Sequence, residues 1–187
     1  MNRLTLFLPV TFMVLISCSP KQMNEQELRK YMLDEKNGVK KEIVDANQLK
    51  LEVYLVRSEL INDKKKEDKK DSLRYFMLAF SKNDREALAQ YAGQNNYAQL
   101  VENLSFNAAK YCRLIINKKD TVQVSNYSFI NNYGTSPSNN LLLVFDAPLP
   151  ESEYELDVDD PGFDISDSKF IFKKTDIKTY YNIKLIK

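Results

Sequence analysis

The sequence predicts an α+β fold that is mainly antiparallel β, either sandwich-like or a curved sheet, with a few short helices. Three observations predict it. Apolar and polar residues alternate with a period of two in most segments, QLKLEVYLV and EYELDV being the clearest. Short clusters of Asn, Asp, Gly, Pro and Ser, the residues of tight turns, separate those segments. Helical spacing of apolar residues is confined to two stretches.

The first 17 residues, MNRLTLFLPVTFMVLIS, place Arg3 ahead of an apolar run and a small residue, Ser17, at its end, which is the layout of a secretory signal. The apolar run from Leu4 to Ile16 would cover only about 20 Å as a helix, against roughly 30 Å of hydrocarbon, so it is short for a retained span. Pro9 interrupts even that length. Leu15-Ile16-Ser17-Cys18 resembles the bacterial lipobox. That resemblance implies cleavage before Cys18, a diacylglyceryl thioether on its sulfur and an acyl chain of the palmitate kind on its amine. The expected organisation is therefore a lipoprotein signal peptide over 1–17, the lipidated cysteine and a short tether over 18–24, and a single strand-rich globular domain over 25–187.

Within the domain, NEQELRKYMLDEKNG reads as a short helix with Leu28, Tyr31 and Met32 on one face, closed at Asn37-Gly38. VKKEIV and QLKLEVYLV form a hairpin about Asp45-Ala46-Asn47, with Leu49, Leu51, Val53 and Leu55 on its buried face. The charged run at 61–71, INDKKKEDKKD, lacks apolar period and reads as a solvated loop, or else as a lysine patch touching lipid head groups. SLRYFMLAFS is apolar on both faces, as in a central strand. NDREALAQYAGQNNYAQLVENLSF reads as helix, broken at Gly93, with Tyr97, Leu100, Val101 and Leu104 as its stripe. Five strands follow: AKYCRLIIN, TVQVSNYSFI, LLLVFD, EYELDV and KFIFK.

Composition narrows the chemistry. Removing residues 1–17 takes Arg3, one of 27 basic side chains, and leaves 26 against 26 acidic ones. That balance gives no broad field for steering toward nucleic acid, which is not expected as a partner. The chain has no histidine and no tryptophan, which removes His triads, His metal sites and the usual general base near neutral pH. No cofactor fingerprint or nucleophile motif is present, and no cofactor is expected. With Cys18 acylated, Cys112 stands alone; it alternates with Leu114 and Ile116 and is expected to be a buried, inert thiol. The 11 tyrosines and 10 phenylalanines read mainly as core and cross-strand pairs, with a tyrosine-lined sugar or peptide groove as the functional alternative.

Asp157, Asp159, Asp160, Asp164 and Asp167 are the candidate metal ligands, because calcium takes several carboxylate oxygens from a flexible loop. An EF-hand register started at Asp157 fits Asp159 and Gly162 but fails at Pro161 and Ser168. The competing reading puts Glu153, Glu155 and Asp157 on the solvent face of a strand whose Tyr154, Leu156 and Val158 point inward, with Asp160-Pro161-Gly162 as a turn.

The order of segments, a lipobox followed by YMLDEKNGV, LEVYLVRSEL, YFMLAFS and LLLVFD, resembles uncharacterised lipoproteins of Bacteroidota. The resemblance implies a cell-envelope location, in the outer membrane of a Gram-negative bacterium, and carries over no catalytic residues. The expected function is a lipid-anchored, non-enzymatic binding or assembly component, with the membrane and envelope proteins as partners. Two alternatives stand beside it: an envelope glycan-acting hydrolase using paired carboxylates, and a calcium-dependent adhesion module.

Overall fold

The structure is a computed structural model and describes residues 21–61, 72–132 and 134–186. Cys18, the rest of the expected signal and tether up to residue 20, and 62–71 of the charged run lie outside the described residues.

A two-residue strand, β1 (Gln22–Met23), falls where only tether was expected. Helix α1 (Glu25–Leu33) follows, started by a capping box in which the Asn24 side chain accepts from Glu27 N–H and the Glu27 carboxylate accepts from Asn24 N–H. Its Leu28 is fully buried, and the chain leaves through a 3₁₀ turn closed by Gly38 at φ 73°. The expected hairpin is β2 (Lys40–Val44) and β3 (Leu49–Val56). Its turn is held by the Asp45 carboxylate, which accepts from Asn47 and Leu49 N–H.

Strand β4 (Leu73–Lys82) is central, as its two apolar faces require, and a short β5 (Arg85–Glu86) folds back on it. Here the sequence reading needs correction. Residues 85–91 form β5 and a 3₁₀ turn, and only α2 (Tyr97–Phe106) is α-helical, with Leu100 and Leu104 buried. Asn83 and Asp84 both sit in the left-handed region, which turns the chain sharply before any helix could begin.

Next come β6 (Cys112–Ile116), β7 (Asp120–Gln123), β8 (Asn126–Ile130), β9 (Asn139–Asp146), β10 (Glu153–Val158) and β11 (Ser168–Lys173). TVQVSNYSFI is thus two strands, and they belong to different sheets. β7 pairs with β6, whereas β8 pairs with β9. The chain ends in α3 (Lys174–Tyr181) and β12 (Lys184–Leu185), which alternation did not announce; β12 pairs in parallel with β1.

One sheet runs β2-β3-β4-β9-β8, with β5 on β4, and the other β11-β10-β6-β7; both are antiparallel. They share one core, in a sandwich-like arrangement. Phe76 of β4 meets Tyr154 of β10 and Phe172 of β11 at ring-centroid distances of 6.0 and 5.4 Å. Leu51, Val53 and Leu55 from one sheet and Leu114, Leu156 and Phe170 from the other fill the same interior. Tyr154 is buried through its hydroxyl, which donates to Pro148 C=O and accepts from Arg74 Nε at 3.1 Å.

Candidate binding groove

The larger sheet has a second face, turned away from the core. Antiparallel register sets Tyr54, Met77, Leu142 and Ser128 in one row across β3, β4, β9 and β8, with Ala79, Asn140 and Ile130 in the next. Ala79 makes a low point in that floor because its side chain ends at Cβ. Helix α1 and the 3₁₀ turn Ser58–Leu60 wall one side, tied to each other by Arg29 Nη2 donating to Leu60 C=O at 2.9 Å. Met32 and Leu33 overhang from α1, and Ile130 and Ser138 form the opposite rim. The result is an open groove of about 380 Å³. Leu33 and Ile130 are 52% and 43% exposed, so apolar surface reaches its mouth.

Among the described lining residues there is no carboxylate, and the one permanent charge, Arg29, is held by Glu25 at 2.8 Å. Ser128 contributes a hydroxyl with no partner among the described residues. Beside the Tyr54 row, Lys40 reaches Glu52 at 2.8 Å and Glu42 at 3.0 Å, and Lys50 reaches Glu52 at 3.1 Å. Burial opposes the Lys40 ammonium, but hydrogen bonds to Glu52 and Glu42 outweigh it and raise its pKa. Burial raises the Tyr54 phenol, and the neighbouring Glu52 charge adds to that. These side chains neutralise one another, so the groove offers apolar contact and neutral hydrogen bonds and presents no free ion.

The residues singled out from sequence lie elsewhere. Tyr154, Leu156 and Val158 do point inward, but Asp157 is only 3% exposed, which corrects its expected place on the solvent face. The cause is cross-strand cover: Arg113 of β6 lies 3.0 Å and Lys169 of β11 3.6 Å from its carboxylate. Burial raises the pKa of Asp157, with Lys169 and Arg113 working against it. Asp159 is bound to Arg113 at 2.7 Å. Asp160 caps its own turn, accepting from Gly162, Phe163 and Asp164 N–H, while Asp164 and Asp167 are exposed. Among the described residues no group of three or more Cys, Asp or Glu is placed to hold a metal ion. Cys112 is buried in the core, and burial, then the Asp159 charge, pushes its thiol up to about 12.

Tyr54 is the one tyrosine among the described groove residues, whose walls are otherwise largely Met, Leu, Ile and Val. Sequence reasoning missed this surface. Its signal was the double-sided apolarity of YFMLAFS and LLLVFD, which exceeds what one buried face consumes. The architecture defines the class as a two-sheet α+β domain with an open apolar groove. Comparison with protein-family models, with curated proteins and with solved structures finds no match for the chain.

Proposed function

We propose that this protein is a lipid-anchored, non-enzymatic binding component of the cell envelope, tethered through Cys18, whose groove receives an apolar segment of an envelope protein. The groove itself carries the reading. Its volume lies in the range of ligand sites, and its walls are aliphatic with a few neutral hydrogen-bonding groups. Met32 and Met77 give it adaptable surface, as at sites that accept varied apolar side chains. The absence of a free charge among the described lining residues favours a neutral peptide over a ligand with a carboxylate or phosphate head. Its openness suits a polypeptide lying across the sheet face. The lipobox-like Leu15–Cys18 supports binding at a membrane, and the likeness of segment order to Bacteroidota lipoproteins favours the outer membrane of a Gram-negative cell.

The test is site-specific photocrosslinking in intact cells from position 130 on the rim, with position 169 on the opposite sheet as control. A polypeptide adduct from 130 that is absent from 169 and lost with Met77→Arg is the expected outcome. Adducts only to lipid or glycan, or equal yield from both positions, would refute the groove as a protein site. Fractionation of Cys18→Ala addresses the anchor separately, and release from the membrane is expected.

A further inference from the structure

We infer that the end of the domain formed by α3, β12 and the first described residue, Lys21, faces the bilayer and binds anionic lipid head groups. This rests on the lipid-anchor reading, since it concerns how an anchored domain sits.

Charge is segregated along a nearly neutral chain. The last 15 residues, KKTDIKTYYNIKLIK, contain lysines at 173, 174, 178, 184 and 187 against the single acid Asp176. The fold brings residues 173–186 of this segment to the start of the described chain. β12 pairs with β1, Lys184 N–H donates to Lys21 C=O at 2.9 Å, and Lys21 Nζ stands 5.3 Å from the Tyr31 ring centroid. Only Ser19 and Pro20 separate Cys18 from Lys21, three peptide steps or at most about 11 Å of chain, so an acylated Cys18 holds this end closest to the membrane.

Neighbouring acids are hydrogen-bonded within their own elements, and none of them pairs with these lysines. Glu25 is paired with Arg29, Glu27 serves the capping box, and Asp176 accepts from the Thr175 hydroxyl. Lys21, Lys174, Lys178 and Lys184 are exposed and form no ion pair with a described residue. Lys174 and Lys178 are four apart and share a face of α3. Ile186, two residues after Lys184, is exposed, an apolar group suited to the head-group boundary.

The opposite end carries no such excess of lysine over acid. β3 ends next to α3, since Arg57 bonds Tyr180 and Ile183 C=O, so the Asp45 turn at the start of that strand lies about 25 Å away. There Asn47 reaches Asp164 C=O, and Asp164, Asp160 and Asp45 all bear on Tyr91. A domain with a cation excess at its tethered end and mixed charge at the far end, where Lys82 and Arg85 stand by the start of β3, is oriented by an anionic surface. Each lysine near such a surface contributes roughly fivefold in partitioning.

The test uses the full lipidated protein in vesicles of phosphatidylcholine alone or with phosphatidylglycerol added, reading amine acetylation residue by residue. Lys178 and Lys184 are expected to react several-fold more slowly in the anionic vesicles, with Lys82 and Lys110 unchanged, and high salt to restore the rate. Equal rates in both vesicles overturn the inference, as does slowing that persists with Lys178 and Lys184 in neutral vesicles. If the purified chain carries no lipid, the anchor reading fails on that result alone. The same chain mixed with anionic vesicles then decides the face: salt-sensitive co-flotation lost in the triple variant Lys174→Glu, Lys178→Glu, Lys184→Glu supports it, and no co-flotation overturns it.

Discussion

Replacing Arg57 by alanine should unfasten the C-terminal end of the chain from the larger sheet. Arg57 is 6% exposed, with Nη1 donating to Ile183 C=O at 2.7 Å and to Tyr180 C=O at 3.3 Å, while Nη2 pairs with Glu59. Its guanidinium also lies over the Tyr180 ring, 5.9 Å from the centroid. A hydrogen bond from a charged donor contributes about 1.5–3 kcal/mol, and the longer of the two counts at the low end. The Glu59 side chain is 42% exposed, so its charge rehydrates when Arg57 is lost and adds little. Water entering the vacated space recovers part of the two carbonyl bonds. A net loss of about 2–3 kcal/mol follows, which for a domain of this size lowers Tm by roughly 4–12 °C. Urea unfolding measures the loss, and hydrogen exchange locates it: amides 177–186 should lose protection first while those of β4 and β9 keep theirs. Arg57→Lys retains the charge without the fork and should fall between the two proteins. A loss under about 0.5 kcal/mol, or exchange that rises uniformly, would refute the view that one side chain staples α3 and β12 to β3.

Three further outcomes follow from individual residues. Hydrogen bonds from Lys40 and Lys50 hold Glu52 below the ordinary glutamate range against its burial, and Lys40 does the same for Glu42. Groups depressed in this way stabilise the fold above their unfolded pKa, and that contribution is lost as pH falls through the folded value. Glu52→Gln should therefore flatten the stability profile below about pH 4–5, read by thermal melts across that range, while leaving its shape at pH 7–9 unchanged. The Cys112 thiol, buried and pushed up to about 12, should resist iodoacetamide at pH 8 in the folded protein and react fully in denaturant; fast native labelling would contradict its packing. Gly38→Ala should cost about 1–3 kcal/mol in denaturant titration, because φ is 73° there and a Cβ would overlap the Asp176 carboxylate; a neutral effect would contradict the close packing of Asp176 on Gly38.

The hairpin of β2 and β3, the central position of β4 and the inward faces of β6 and β10 were all legible in residues 40–56, 72–81, 112–116 and 153–158, whereas α1 ends at Leu33 and Gly38 closes the 3₁₀ turn after it. Alternation and turn chemistry are properties of neighbouring residues, so the sequence by itself determined which side chains share a face and where the chain reverses. Only the tertiary structure decided that TVQVSNYSFI crosses between sheets at Val124-Ser125, because the choice of partner strand depends on chain far away in sequence. The same holds for Asp157, whose burial comes from Arg113 and Lys169 on flanking strands, and for α3 with β12, which dock through Arg57 and Tyr31. The groove belongs to this second kind as well. Its floor was visible as surplus apolarity in two strands, but its walls come from α1 and residues 58–61, and only packing brings them to that face.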